Sequence, residues 1–324
     1  MSEESNVRSK SRRVLLTGAT GFVGRHLDAA LAETNWEVRR ATRDRRRAAG
    51  PGWVYLDVED ASSIEPALEG CDAAIYLIHS IDNSSDYPER EARSAEAFRD
   101  AAERAGVRRI VYIGGVAPAT QPSRHLGSRL HTGEILRSGR VSTIELRCSL
   151  IIGAGGSSWT MVRDLAARLP AMLLPRWLRF SSWPVWVEDV VIAIVLALDF
   201  PLEGSAWFDL PGPERMTHAD LLTRVAKSMG KDPRLVGVPV ITPTLSSYWI
   251  ALVTRADLAL ARELVQGLQS DLDPSGDVFW DELEDEAPTP FQTSVYQALE
   301  DENAAQVPTP KLVSRIQARM RGGA

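Results

Sequence analysis

Short apolar runs alternate with amphipathic stretches through the first half of the chain. Val14-Leu15-Leu16 is the first run, and Leu27, Ala30 and Leu31 follow it at helical spacing. Trp36 to Ala41, Gly52 to Leu56, Ala73 to Ile78, Arg109 to Ile113 and Val141 to Arg147 predict further strands. Helices are predicted over Ala61 to Leu68, Glu89 to Ala105 and Arg124 to Ser138, the last two closed by Gly106 and Gly139. Strands alternating with helices predict an α/β protein: a doubly wound parallel sheet over residues 12–150, with right-handed crossovers.

The rhythm changes beyond Leu150. Residues 151–270 read as a smaller lobe interleaved with the core. It has a glycine-rich loop at Gly153 to Ser158 and helices at Trp159 to Leu169, Val185 to Phe200 and Thr217 to Met229. Pro170 to Pro175 reads as a turn, Trp177 to Ser182 as a short strand, and Tyr248 to Leu252 and Leu258 to Leu268 as helical. Trp159, Trp177, Trp183, Trp186, Trp207 and Trp249 are candidates to line an apolar substrate pocket, although most such side chains belong to a core. Residues 271–324 read as an acidic, proline-containing tail, loosely ordered with at most short helices over Ser270 to Pro310 and ending in a basic helical segment at Lys311 to Arg321, either a contact for a partner protein or a membrane surface or a frayed terminal helix.

The junction of the first strand and helix carries the chemistry: Thr17-Gly18-Ala19-Thr20-Gly21-Phe22-Val23-Gly24. A strand-turn-helix with this glycine register is a dinucleotide site. Gly18 permits the turn, Gly21 lets backbone approach a pyrophosphate, and Gly24 lets helix and strand pack closely. The helix N-terminus then offers free N–H groups, those of Thr20, Gly21, Phe22 and Val23, to phosphate. An NAD-specific site places an acid at the end of the second strand, about 20 residues on. Here the chain reads Arg39-Arg40-Ala41-Thr42-Arg43-Asp44-Arg45-Arg46-Arg47 instead. A guanidinium suits the 2′-phosphate of NADP, so NADP is expected over NAD, with Arg43 as the contact and Arg45 to Arg47 as a solvated loop. Asp57 and Val58 fall where adenine would lie, Asp57 having a second reading as a helix-start acid. Leu77 and His79 end the fourth strand beside the cofactor cleft, His79 being open to a nicotinamide contact or to satisfaction by backbone.

Composition excludes other classes. The net charge of -6 argues against nucleic-acid binding. Cys71 and Cys148 stand far apart in no metal-ligand spacing, so no metal and a reduced, cytoplasmic protein are expected. Met1 to Arg13 has no apolar signal segment, and the longest apolar run, Val190 to Leu198, is too short for a membrane span.

With these residues in hand, the chain resembles the atypical and extended short-chain dehydrogenase/reductases, within them the NmrA-like NAD(P)H-binding family and its YbjT-like branch. The likeness rests on the glycine stretch, Tyr76-Leu77-Ile78-His79-Ser80, Arg109 to Gly115, Glu145 to Gly153, Pro175-Arg176-Trp177, Val187 to Val190 and Ala261 to Leu268, and covers about residues 12–272. It implies a Rossmann fold, a nicotinamide cofactor and a small-molecule substrate. It also exposes departures. Reducing members carry a tyrosine, with a lysine one turn later, in the helix after the fifth strand; those positions hold His125 and Arg129. A serine usually ends the fifth strand, where Gly114 and Gly115 stand. Two readings stay open. One is an NADP-dependent oxidoreductase in which His125 is the acid/base and Arg129 favours its neutral form. The imidazole's ordinary pKa near 6.5 then sets an optimum near neutrality or below. The other is a non-catalytic NADP(H)-binding sensor or accessory protein.

Overall fold

The structure, a computed structural model, describes residues 12–79, 86–168, 171–174, 176–237, 266–283 and 286–304. The predicted doubly wound sheet forms from β1 (Arg12–Leu16), β2 (Trp36–Thr42), β3 (Trp53–Tyr55), β4 (Ala73–Tyr76), β5 (Arg109–Gly115) and β6 (Ser142–Cys148). Its helices are α1 (Phe22–Leu31), α2 (Arg45–Ala48), α3 (Ala61–Leu68), α4 (Tyr87–Arg104) and α5 (Arg124–Arg137). Beyond them lie β7 (Ile151–Ile152), α6 (Ser157–Arg168), β8 (Ala171–Leu174), β9 (Ser181–Ser182), β10 (Val185–Trp186), α7 (Val187–Asp199) and β11 (Ala206–Asp209). They are followed by β12 (Met216–Thr217), α8 (His218–Ser228), β13 (Arg234–Gly237) and α9 (Phe291–Ala304).

The main sheet is seven-stranded, in the order β11-β6-β5-β4-β1-β2-β3, with every pair parallel. The strand order reverses between β1 and β4, which places the ligand crevice at the carboxyl ends of these two strands. Parallel strands buried on both faces need an apolar layer on each. On one face α1 and α7 pack through Leu27, Leu31, Val191 and Ile194; on the other α3, α4 and α5 pack through Ile64, Phe98 and Leu136. A third cluster packs α6, α8 and α9 around Trp159, Leu221 and Phe291.

The structure corrects the reading of the second half in four places. Ala206–Asp209, with no strand predicted, extends the main sheet beside β6, so the sheet is completed from beyond residue 150. Pro170 to Pro175 is not a simple turn: Ala171–Leu174 is a strand paired with Arg234–Gly237, a partner too remote in sequence to be read locally. Within Trp177 to Ser182, only Ser181–Ser182 is strand, and Arg176–Arg179 is a 3-10 turn. Where it is described, at residues 271–283 and 286–304, the acidic tail is packed rather than loose. Phe279 and Trp280 are buried in the core, and the Trp280 indole donates to the carbonyl of Pro211. Phe291, Val295 and Ala298 form the buried stripe of α9, and buried Asp189 clasps Thr289 through its backbone N–H and hydroxyl at 2.7 and 2.8 Å. This stripe is flanked by acids and prolines, which masked it in composition. The stretches Tyr248 to Leu252, Leu258 to Val265 and Lys311 to Arg321, and Trp249 within the first, lie outside the described residues.

Candidate functional site

The glycine turn joins β1 to α1 at the sheet's switch point. Gly18 has φ +63°, a conformation open to glycine at no steric cost, and a Cβ there would meet Leu77 Cβ at 3.1 Å. A Cβ on Gly24 would lie 2.1 Å from the Gly18 carbonyl oxygen, so α1 can approach the turn only with glycine there. At Gly21 a Cβ would meet only that same oxygen, at 3.1 Å. Gly21 is the N-cap of α1 and no side chain caps the helix, which leaves its first N–H groups available to an anion. Thr17 holds the turn to β4: its hydroxyl donates to the Ile75 carbonyl at 2.9 Å and accepts from the Leu77 N–H at 2.8 Å. Its buried hydroxyl was not singled out from sequence. These features fit a dinucleotide, whose pyrophosphate the helix terminus would hold.

Most of the arginines near β2 are occupied. Arg39 donates to the carbonyls of Ala67 and Glu69, Arg40 pairs with Asp28 at 2.7 Å, and Arg45 and Arg47 stack on Tyr55 and Trp53. Asp44 caps α2. Arg43 is exposed just past β2, with no partner among the described residues. Asp57 does not cap α3; Asp60 does, accepting from the Ser62 N–H, while Asp57 accepts from the Glu59 N–H at 3.1 Å. Val58 is half-buried beside it.

A second centre lies at the carboxyl ends of β4 and β5. The rings of His79 and His125 lie 4.9 Å apart. Arg129 Nη2 donates to the carbonyls of Ile113 (2.6 Å) and Gly114 (3.1 Å), and Nη1 lies 3.4 Å from His79 Nε2. Glu91 of α4 stands 3.7 Å from His79 Nδ1 and accepts from the Ser128 hydroxyl. The sequence held no sign of Glu91 or Ser128 here, because only the packing of α4 against α5 brings them to the end of β4. Burial, then Arg129, push the His125 imidazole down to about 3, and the same causes hold His79 well below its ordinary range. Both are neutral at physiological pH. Burial thereby removes the His125 titration near 6.5 from which an optimum near neutrality or below is reasoned.

The glycines in place of a serine now have a physical cause. A Cβ on Gly114 would lie 2.4 Å from Glu145 Oε1, and one on Gly115 2.4 Å from Leu126 Cδ1. Glu145 is fully buried between Arg137 (2.9 Å) and Arg147 (3.0 Å), and a Cβ on Gly133 would also strike it.

An apolar cavity of about 180 Å³ opens against this centre. Its wall comes from α6 and α8, through Met161, Leu165, Leu221 and Leu222, and Gly115, His125, Arg129, Cys148 and His218 also line it. Its described lining contains no tryptophan, which corrects the tryptophan-pocket expectation for the four whose side chains are described. Trp159 and Trp186 are core, Trp183 donates to Asp273, and Trp207 carries the stacked guanidinium of Arg147. Leucine and methionine at helical spacing gave no such signal, since it is equally that of a core. Among the described residues, no helix is long and apolar enough to cross a membrane.

Residues 18–165 match the family described as NAD(P)H-binding. A ceramide reductase of Caulobacter vibrioides is 28% identical over 279 residues, 81% of this chain and 86% of that protein. Two solved structures share the fold. A nucleoside-diphosphate-sugar epimerase of Staphylococcus aureus superposes with TM-score 0.68 at 17% identity, over 88% of this chain and 99% of that one. A Bordetella bronchiseptica enzyme in complex with NAD+ gives 0.63 at 17%, over 91% and 99%.

Proposed function

We propose that the protein, which carries an NAD(P)H-binding domain, is an NADP(H)-preferring oxidoreductase of the short-chain dehydrogenase/reductase type acting on an apolar carbonyl compound. The observation that carries this reading is the apolar cavity, which opens on His125 and Arg129 at the carboxyl end of β5. The Caulobacter relative is named for a lipid substrate, in keeping with a wall of leucine and methionine. In this reading the N–H groups of Thr20, Phe22 and Val23 hold the pyrophosphate beside Gly21, whose own N–H donates to the Gly18 carbonyl at 2.8 Å, with Gly18 and Gly24 keeping the turn tight. Arg43 takes the 2′-phosphate, Asp57 and Val58 border the adenine, and Leu77 and His79 flank the nicotinamide side. The bound cofactor supplies or accepts a hydride. His125 gives the proton to the reduced oxygen from its neutral ring, and the apolar walls exclude water.

The test is NADPH oxidation with ketones of increasing alkyl length. Each methylene that enters the cavity is worth about 0.8 kcal/mol, so kcat/KM rises about fourfold per methylene until the space is filled. No turnover across the series, with NADPH bound, favours the nucleotide-sensing alternative, whose support is the hydroxyl-free end of β5 at Gly114 and Gly115.

Arg43→Ala tests the cofactor preference. NADPH binding weakens by about 1–3 kcal/mol, the range for a charge-assisted hydrogen bond, and NADH binding stays nearly unchanged. Equal losses in a fluorescence titration with both nucleotides would remove Arg43 from the 2′-phosphate.

A further inference from the structure

We propose that Arg129 polarises the substrate carbonyl through its Nε–H, doing the work of the hydroxyl that Gly114 and Gly115 lack, with His79 and Glu91 as its positioning residues. The proposal rests on the reductase reading. Two of the three guanidinium nitrogens are engaged: Nη2 on the Ile113 and Gly114 carbonyls and Nη1 beside His79 Nε2. Nε is buried and has no hydrogen-bond partner among the described residues. A guanidinium can only donate, and a buried donor left unmade is costly, so this atom lacks an acceptor that a bound substrate oxygen supplies. A Cβ on Gly115 would come within 3.7 Å of Nε, and both residues line the cavity. The same Cβ would lie 2.4 Å from Leu126 Cδ1, so that methyl covers the bare glycine beside Nε, and the substrate oxygen takes its place.

The positioning chain follows from donor and acceptor roles. Because Arg129 donates, His79 Nε2 accepts, which leaves the His79 proton on Nδ1. That nitrogen faces Glu91 Oε1, 3.7 Å away, and Ser128 donates to the other Glu91 oxygen. The neutral state of His79 suits an acceptor.

A reduced nicotinamide bound at the glycine turn would supply the hydride for the new C–H bond and would itself end oxidised. The carbonyl π pair moves to oxygen, oxygen takes the proton of the neutral His125 ring, and the imidazolate left is reprotonated from solvent once the alcohol leaves and the cavity is open. Arg129 keeps its proton throughout and stabilises the charge that grows on oxygen.

The experiment uses the full chain, NADPH and an alkyl ketone. Arg129→Ala lowers kcat by about 10²–10³-fold, the range for losing one oxyanion donor, with NADPH affinity nearly intact. Added ethylguanidinium restores much of the loss, and the variant's rate depends more steeply than wild type's on the electron demand of the ketone. His79→Phe lowers kcat in wild type and adds nothing in the Arg129→Ala background, a non-additivity that a merely structural residue does not produce. Arg129→Lys covers a folding failure of the alanine variant: it keeps the cation, loses the planar fork, and stays far below wild type. A wild-type kcat in Arg129→Ala or Arg129→Lys, a loss confined to KM, or no guanidinium rescue of a folded variant overturns the assignment alone. Absence of turnover by wild type overturns the reductase reading and this assignment with it.

Discussion

His125→Phe lowers kcat by roughly 10²–10⁴-fold and leaves NADPH affinity nearly intact, because the ring remains and the proton it gives does not. The imidazole lines the cavity beside Arg129, with its ring centre 4.9 Å from that of His79 and tilted 41° to it. Burial holds its pKa near about 3, so it acts from the neutral form. The kcat profile of wild type therefore has no bend near 6.5 from this residue. Stability carries a second signature. The folded pKa lies below the ordinary 6.5, so the contribution of a neutral His125 is complete above 6.5 and is lost as pH falls toward 3. Phenylalanine removes that loss, and urea unfolding of the variant becomes less acid-sensitive over the same window. Turnover per folded molecule equal to wild type would reduce His125 to a packing residue.

Glu145→Gln destabilises the fold by about 3–5 kcal/mol, the cost of breaking a buried ion pair from one side. The substitution is isosteric, so the close contacts with Gly114 and Gly133 are kept and only the charge is lost. Arg147, buried against Trp207, and Arg137 are left without their shared carboxylate. Adding Arg147→Met recovers part of the loss, since an apolar side chain needs no counter-ion there. Urea unfolding checks both. A Glu145→Gln midpoint at the wild-type value would show that the network contributes specificity without stability.

Much of the site was legible before the fold. Alternating runs identified the strands of the sheet up to β6, since burial on both faces leaves continuous apolar stretches. The glycine register marked the turn, because Gly18 has a positive φ and a Cβ on Gly24 would lie 2.1 Å from the Gly18 carbonyl oxygen. The arginines after β2 stood out as a group. Which of them lacks a partner did not, since that depends on Asp28 of α1, on the Ala67 and Glu69 carbonyls at the end of α3, and on the two aromatic rings of β3.

Sequence by itself thus determined what local chemistry records: periodicity, chain reversal, and the residue types on offer at His79, His125 and Arg129. Tertiary structure alone decided what depends on partners remote in the chain. It recruited β11 to the sheet and docked α9 through Asp189 and Thr289. It placed Glu145 where a serine side chain would stand, and it gathered Glu91, His79 and Arg129 at one end of the sheet. The physical reason is that burial and hydrogen-bond satisfaction are settled among all neighbours in space, whereas a linear pattern reports only those along the chain.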